Sequence, residues 1–268
     1  MTVAVKDPVS FAKEVREFGK RYGLRCPIPS TKKTLDNIYS LYVSPPDKVS
    51  YALRDAFIDL DDDFEKVKRM KAHYDKKGYH TFIQSSKADG GGNMTPELFS
   101  ERGYFVVALF HEGVHRAKQK INYLIEEPVA DIIGLNAAAQ FFKEKKDRYG
   151  MRKVNCEMED TAYTVGLFIR NYSRRIAELE KGRKIGCGES NNNAKLLSDR
   201  HYYLYHPMVS LAYEAIGDLK EAADFFLKLP PRLDACTQKL EKIITPNLRF
   251  ARIRNFFKSH PTSSFGAR

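Results

Sequence analysis

Two histidines stand four residues apart in His111-Glu112-Gly113-Val114-His115, with a glutamate directly after the first. On a helix, residues four apart share one face, so both imidazoles can reach a single ion. Glu112 is one step round from His111, placed to touch a water held by the ion rather than the ion itself. Zinc lowers the pKa of such a water to near 7, and a carboxylate beside it can take the proton. The spacing points to metal-assisted hydrolysis, with His111 and His115 as ligands and Glu112 as the base. The bland alternative is a pair of ordinary helix histidines, one in the core and one in a salt bridge.

Zinc in a hydrolase takes three protein ligands and keeps a fourth position open. A third histidine six residues after His115 would be one solution, but position 121 is Ile. Glu126 and Glu127 lie just beyond a short segment, 116–125, which lets the chain reverse and bring a second helix against the first. Asp131 follows Glu127 by four residues and shares its helix face. An acidic helix start ahead of Pro128 is also a common arrangement without any metal.

Elements must hold these groups in place. The apolar run 105–110 ahead of His111 predicts a buried helix that excludes bulk water. Thr95, Pro96 and Glu97 read as its start, with one helix over 97–120 or two around Gly103. Further helices are expected over 127–146 and 157–181, and shorter ones beyond Gly188, with a break at Pro230 and Pro231. Upstream, 8–23 is amphipathic, with Phe11, Val15 and Phe18 on one face. Residues 26–34 read as a loop, 45–77 as two helices and 79–85 as a strand. The acidic run 59–63 lacks the Gly and Glu offsets of a calcium loop and reads as acids near a helix start. Gly90, Gly91 and Gly92 lack the Lys-Ser/Thr ending of a phosphate loop. The predicted class is α+β, predominantly helical, with a small sheet beside the helix that carries the histidines. The predicted organisation is a helical segment over 1–75 packed on a catalytic part over 76–260, with a disordered tail over 261–268.

The chain has 268 residues, 43% hydrophobic and 29% charged, a balance that predicts a soluble globular fold. Its formal charge of +11 is spread over several mixed stretches and carries no nucleic-acid-binding signature. A solvated basic surface is the simpler reading, and an acidic partner the sharper one. Cys26, Cys156, Cys187 and Cys236 form no Cys-x-x-Cys pair, which argues against a thiolate zinc site and for reduced thiols. No signal-peptide core and no membrane-length apolar run is present, so a cytoplasmic location is expected.

Three blocks resemble the bacterial "predicted aminopeptidase" gluzincins, a distantly thermolysin-like group of zinc peptidases. Ala108-Leu109-Phe110-His111-Glu112-Gly113-Val114-His115 is similar to that family's apolar lead-in and His-Glu-Leu-Ala-His-like core, with Gly113 and Val114 departing from it. Glu126-Glu127-Pro128-Val129-Ala130-Asp131 resembles its Asn-Glu-Ser-Phe-Ala stretch, with Glu126 replacing the Asn. Asn192-Asn193-Ala194, Leu196, Tyr202 and Pro207 resemble its third block, and Gly217-Asp218-Leu219 and Phe225-Phe226-Leu227 follow as they do there. The likeness covers about 79–229. It implies a zincin-like fold and one Zn2+ per chain on His111, His115 and Glu127. Asp131 would accept the outer N–H of His111, and a peptide or protein would be the substrate.

The resemblance also implies an oxyanion donor opposite the zinc, with Tyr202 first and His201, Tyr203 and His206 as rivals. Asn193 would order that Tyr or bind substrate backbone. The peptide would lie along the edge of the strand at 79–85. An aminopeptidase needs an acidic cage for the substrate amino terminus. Asp89, Glu97 and Glu101 are candidates, and "aminopeptidase" itself rests on the family name alone. His73, His80 and His260 read as ordinary histidines. The rival function is a non-catalytic basic protein that binds an acidic partner, its His/Glu cluster structural or vestigial. A third possibility is a peptidase effector with a single target protein.

Overall fold

The computed structural model describes residues 3–29, 37–49, 58–61, 63–88, 94–117, 121–181 and 192–244. It is mostly helical with one small antiparallel sheet, the α+β class that the patterning predicts. Among the described residues, no helix is long and apolar enough to cross a membrane.

Two central helices carry the site. Helix α3, Arg102–Ala117, buries Phe105, Val106, Leu109, Phe110, Gly113 and Val114. Helix α4, Tyr123–Glu144, is buried on most sides, from Leu124 and Ile125 through Ile133 to Phe141 and Phe142, as a central helix should be. The two pack closely against each other. Helix α1, Pro8–Lys20, covers them, and Phe18 sets its ring 5.8 Å from that of Phe110 and 5.2 Å from that of Phe141. The long helix α5, Arg148–Glu180, packs on α3 and α4 from another side. Helices α6, Asn193–Tyr203, α7, His206–Ile216, α8, Leu219–Phe226, and α9, Leu233–Ile244, complete the bundle.

The sheet has strand order β2-β1-β3, with β1 at Ile38–Ser44, β2 at Ile58–Asp61 and β3 at His80–Ser86. Register pairs Ser40 with Gln84, Leu41 with Ile83 and Tyr42 with Phe82. Strand alternation then sorts the side chains by face. Leu41, Val43 and Ile83 pack with Val67 of helix α2, Phe64–Lys76. Tyr42 and Phe82 turn the other way, into the main core, on the side where α6 lies.

Several expectations change. The 1–75 stretch is not a separate helical segment, because β1 and β2 belong to it and β1 pairs with β3 across the proposed boundary at 75/76. The two helices expected over 45–77 are one strand and one helix among the described residues. Asp63 caps that helix, accepting from the Lys66 N–H at 2.8 Å, so the acidic run does end at a helix start. Helix α4 begins at Tyr123 rather than 127 because Asn122 caps it, accepting from the Leu124 N–H at 3.1 Å. Asp147 likewise starts α5 earlier than 157 by accepting from the Gly150 N–H at 3.0 Å. The 97–120 segment divides into a 3-10 turn, Pro96–Ser100, and α3, where the Glu101 carboxylate accepts the Gly103 N–H at 2.9 Å. Asp89, the Gly90–Gly92 triplet, Cys187, His260 and the expected tail lie outside the described residues.

Candidate metal centre

His111 and His115 project from one face of α3, as their spacing requires. The facing surface of α4 carries Glu127, Asp131 and, a further three residues on, Gly134. Gly134 sits where the helices come closest. A Cβ there would stand 3.0 Å from the His111 amide nitrogen and 3.2 Å from its Cα. The missing side chain lets α4 approach until its carboxylates reach the imidazoles.

The three expected ligands meet. His111 Nε2 and His115 Nε2 lie 3.1 Å apart, Glu127 Oε2 lies 3.4 Å from the first, and Glu127 Oε1 lies 3.6 Å from the second. A tetrahedral zinc ion with bonds of about 2.05 Å holds neighbouring ligand atoms about 3.3 Å apart. The separation of the two imidazole nitrogens is near that value, and the Glu127 carboxylate turns one oxygen to each of them. Together His111, His115 and Glu127 form a group able to hold a metal ion, and each is partly buried.

The outer ring nitrogens are held too. His111 Nδ1 meets Asp131 Oδ1 at 3.0 Å, and His115 Nδ1 meets Glu126 Oε1 at 3.0 Å. Each carboxylate favours the proton on Nδ1, which leaves the Nε2 lone pair for a metal. The electrostatics agree with a cation site. Burial opposes a charged ring at His111, but Asp131 and Glu127 overcome it and raise its pKa well above the ordinary value. Burial acts the same way on His115, and Glu126 and Glu127 lift it to about 9. Burial would raise the Glu127 pKa, yet the two imidazoles hold it well below the usual range. The cluster attracts positive charge, as protons or as a divalent ion in their place. Glu126 touches His115 at its outer nitrogen, while the Glu127 carboxylate faces both inner nitrogens.

Glu112 is buried, at 8% exposure, one step round α3 from His111. Gly113 beside it has a specific role. A Cβ there would lie 2.9 Å from Cys26 Sγ and 3.1 Å from the Cys26 backbone nitrogen. The segment that follows α1 crosses α3 at this point, and the Arg25 N–H donates to the Gly113 carbonyl at 3.1 Å.

The α6 candidates separate by surroundings. Burial raises the Tyr202 phenol pKa strongly, and the Glu127 charge adds to it, so the group stays protonated. His201 is held neutral by burial, feels Glu127, His115 and Glu126, and hydrogen-bonds the Tyr123 backbone. Tyr203 is pushed up to about 12 by burial and by Asp131, and packs on Phe168 of α5. His206 sits at the start of α7, with Nδ1 3.3 Å from Ser210 Oγ. Tyr202 and His201 are thus the two groups of this run that sense Glu127.

The Asn193 side chain makes its hydrogen bonds away from the His111, His115 and Glu127 centre. Its amide donates to the carbonyls of Pro45, Pro46 and Lys48, at 3.0, 3.0 and 3.2 Å, and its oxygen accepts from Arg175 at 2.8 Å. It ties the turn after β1 to α5 and α6. Two of the proposed amino-terminus acids, Glu97 and Glu101, have other partners. Glu97 is exposed and paired with Lys87, and Glu101 caps α3 ten residues before His111, about 15 Å along the helix.

Sequence reasoning did not single out Gly134, Gln84 or Ser198. Gly134 carried a readable signal, a glycine two turns beyond Glu127 on the same face. Gln84 and Ser198 carried none, because the hydrogen bond between them, Ser198 O–H to Gln84 Oε1 at 2.6 Å, depends on which helix meets β3. Comparison with protein-family models, with curated proteins and with solved structures finds no match for this chain.

Proposed function

We propose that this chain is a zinc-dependent peptidase with a zincin-like helix pair at its active site. The observation that carries the reading is the convergence of His111 Nε2, His115 Nε2 and the Glu127 carboxylate, with both outer imidazole nitrogens held by carboxylates. His111, His115 and Glu127 would hold the ion. When bound, zinc supplies Lewis acidity and brings a water within reach of deprotonation near neutral pH.

The chain's own groups do the rest. Glu112 accepts the proton of the attacking water and delivers it to the leaving amine. Asp131 and Glu126 fix the imidazoles in orientation and tautomer. The Tyr202 hydroxyl, kept protonated, donates to the carbonyl oxygen as it gains charge. The substrate is a peptide laid along β3, which is an edge strand of the described sheet.

Metal analysis of the full chain tests the reading. The expected result is about one zinc per chain, lost in His111→Ala. Glu112→Gln should keep the zinc and lose hydrolysis of a peptide library read by mass spectrometry. A metal-free chain with salt-sensitive binding to nucleic acid would favour the non-catalytic alternative instead.

A further inference from the structure

The His111, His115 and Glu127 centre is not equally open on all sides. The Glu127 side chain is 15% exposed, whereas that of Glu126 is 33% exposed and Tyr123, the first residue of α4, is 47% exposed. At 3.6 residues per turn, three and four steps along α4 carry Glu126 and Glu127 to either side of Tyr123, one turn further on. The open side of the centre is therefore the side of Tyr123 and Glu126.

Both side chains are held from one side only. His201 of α6 meets the Tyr123 ring in a T-shaped contact, with centroids 5.5 Å apart and planes at 72°. That contact uses one side of the ring and leaves another to solvent. The Glu126 carboxylate meets His115 Nδ1 at 3.0 Å through Oε1, and His115 is its only partner among the described residues. Oε2 is left over.

A half-exposed aromatic ring and a spare carboxylate oxygen, one helical turn apart, share one ligand chemistry. A cation is drawn to the face of the ring and makes charge-assisted hydrogen bonds to the carboxylate. An anionic group is repelled by Glu126, and an apolar group uses the ring alone.

We propose that Tyr123 and Glu126 form a subsite for a basic side chain of the substrate, the ammonium of lysine or the guanidinium of arginine. Tyr123 offers its ring, Glu126 Oε2 accepts the N–H, and His201 and His115 hold the two in place. The position of this subsite beside a scissile bond rests on the peptidase reading above. The binding of the cation does not.

The full-length, zinc-loaded chain is tested with alanine pentapeptide amides that carry one Lys, or one norleucine of like length without charge, at each position in turn. Each is made with a free and with an acetylated amino terminus. Cleavage is read as kcat/KM by mass spectrometry, and binding as Kd by calorimetry on Glu112→Gln. Acetylated peptides should favour Lys over norleucine by at least about tenfold at one position in both readouts. Tyr123→Leu keeps an apolar side chain without a ring, and Glu126→Gln keeps an acceptor for His115 Nδ1 without charge. Each should lower the Lys-to-norleucine ratio at least about threefold at saturating zinc, while Tyr123→Phe keeps it.

A ratio unchanged in Tyr123→Leu or in Glu126→Gln overturns the subsite, and so does a wild type that favours norleucine at every position. Discrimination that follows the free amino terminus and ignores Lys overturns the assignment to a side chain. A chain that binds no zinc and cleaves no peptide overturns the peptidase reading. The Kd ratios of that chain and of its Tyr123→Leu and Glu126→Gln variants then decide the cation subsite by themselves.

Discussion

Gly134 of α4 lies directly on the backbone of His111 of α3, so near that a methyl group would stand 3.0 Å from the His111 nitrogen. The separation of the two helices is set at this crossing. It sits one turn beyond Asp131 and two turns beyond Glu127, the carboxylates that reach His111. Gly134→Ala brings two opposed effects. Alanine favours the helix by up to about 1 kcal/mol, and overpacking costs about 1–3 kcal/mol. Net stability should fall modestly. Zinc affinity should fall by about tenfold or more, because the ligands from α4 are pushed away from those on α3. Competition with a chromophoric chelator measures it. Unchanged affinity in Gly134→Ala would show that the helix spacing does not control the site.

Asp131 and Glu126 make equivalent contacts with the outer nitrogens of the two histidines, each at 3.0 Å. Removing either should leave the ligand set intact and weaken zinc by about 10–100-fold. Asp131→Ala and Glu126→Ala should therefore both bind zinc stoichiometrically at high metal and lose it early to a chelator. Glu127→Ala, by contrast, removes a ligand and should not load fully. Should Glu126→Ala fail to load while Glu127→Ala loads normally, the assignment of the two glutamates is reversed.

Gly113 is the point where the segment after α1 crosses the histidine helix. A side chain there meets both the Cys26 sulfur and the Cys26 backbone. Gly113→Ala should destabilise the fold by about 1–3 kcal/mol in urea unfolding. Cys26→Ala should not restore the loss, because the backbone remains in the way. Burial pushes the Cys26 thiol up to about 12, so it should resist iodoacetamide at pH 8 in the native chain, while the exposed Cys156 reacts. Cys26 labelling should appear in Gly113→Ala, read by peptide mapping.

His80 gives a pH dependence separate from the metal. Its Nδ1 accepts the Asn193 N–H at 3.0 Å, and burial, helped by the Arg175 charge, lowers its pKa. The unfolded ring titrates near its ordinary value of about 6.5. Below that pH the unfolded chain takes up a proton that the folded chain refuses, so acidification favours unfolding. The contribution is complete above that pH and is lost progressively below it. His80→Asn offers a comparable acceptor and cannot titrate. Its stability should fall less steeply between pH 7 and 5 than the wild type's, whatever its absolute value. Parallel curves would remove His80 as the titrating group.

Local chemistry was legible in the residues themselves. The pair His111 and His115, with Glu112 between, needs only helical spacing to share a face. The Glu127 and Asp131 pair needs only a second helix. The first strand to be recognised, at 79–85, was a short alternating run, and it lies at 80–86. The strand at 38–44 is not marked by alternation, because Leu41 and Val43 are buried on the α2 side and Tyr42 on the α6 side. The start of α4 lies four residues before the expected 127, because Asn122 caps the helix and Pro128 sits inside it.

Asn193 shows the limit most plainly. Its place beside a suggestive motif pointed to the centre, but its amide is spent on the carbonyls of the turn after β1. Spacing along one helix is a property of the chain alone, because 3.6 residues per turn fix which side chains are neighbours. Which helix meets which strand, at what separation and in what register, depends on burial spread over the whole chain. The shared face of His111 and His115 on α3 was therefore determined by the residues, whereas Gly134 at the helix crossing and the Ser198–Gln84 contact between α6 and β3 were decided only by tertiary packing.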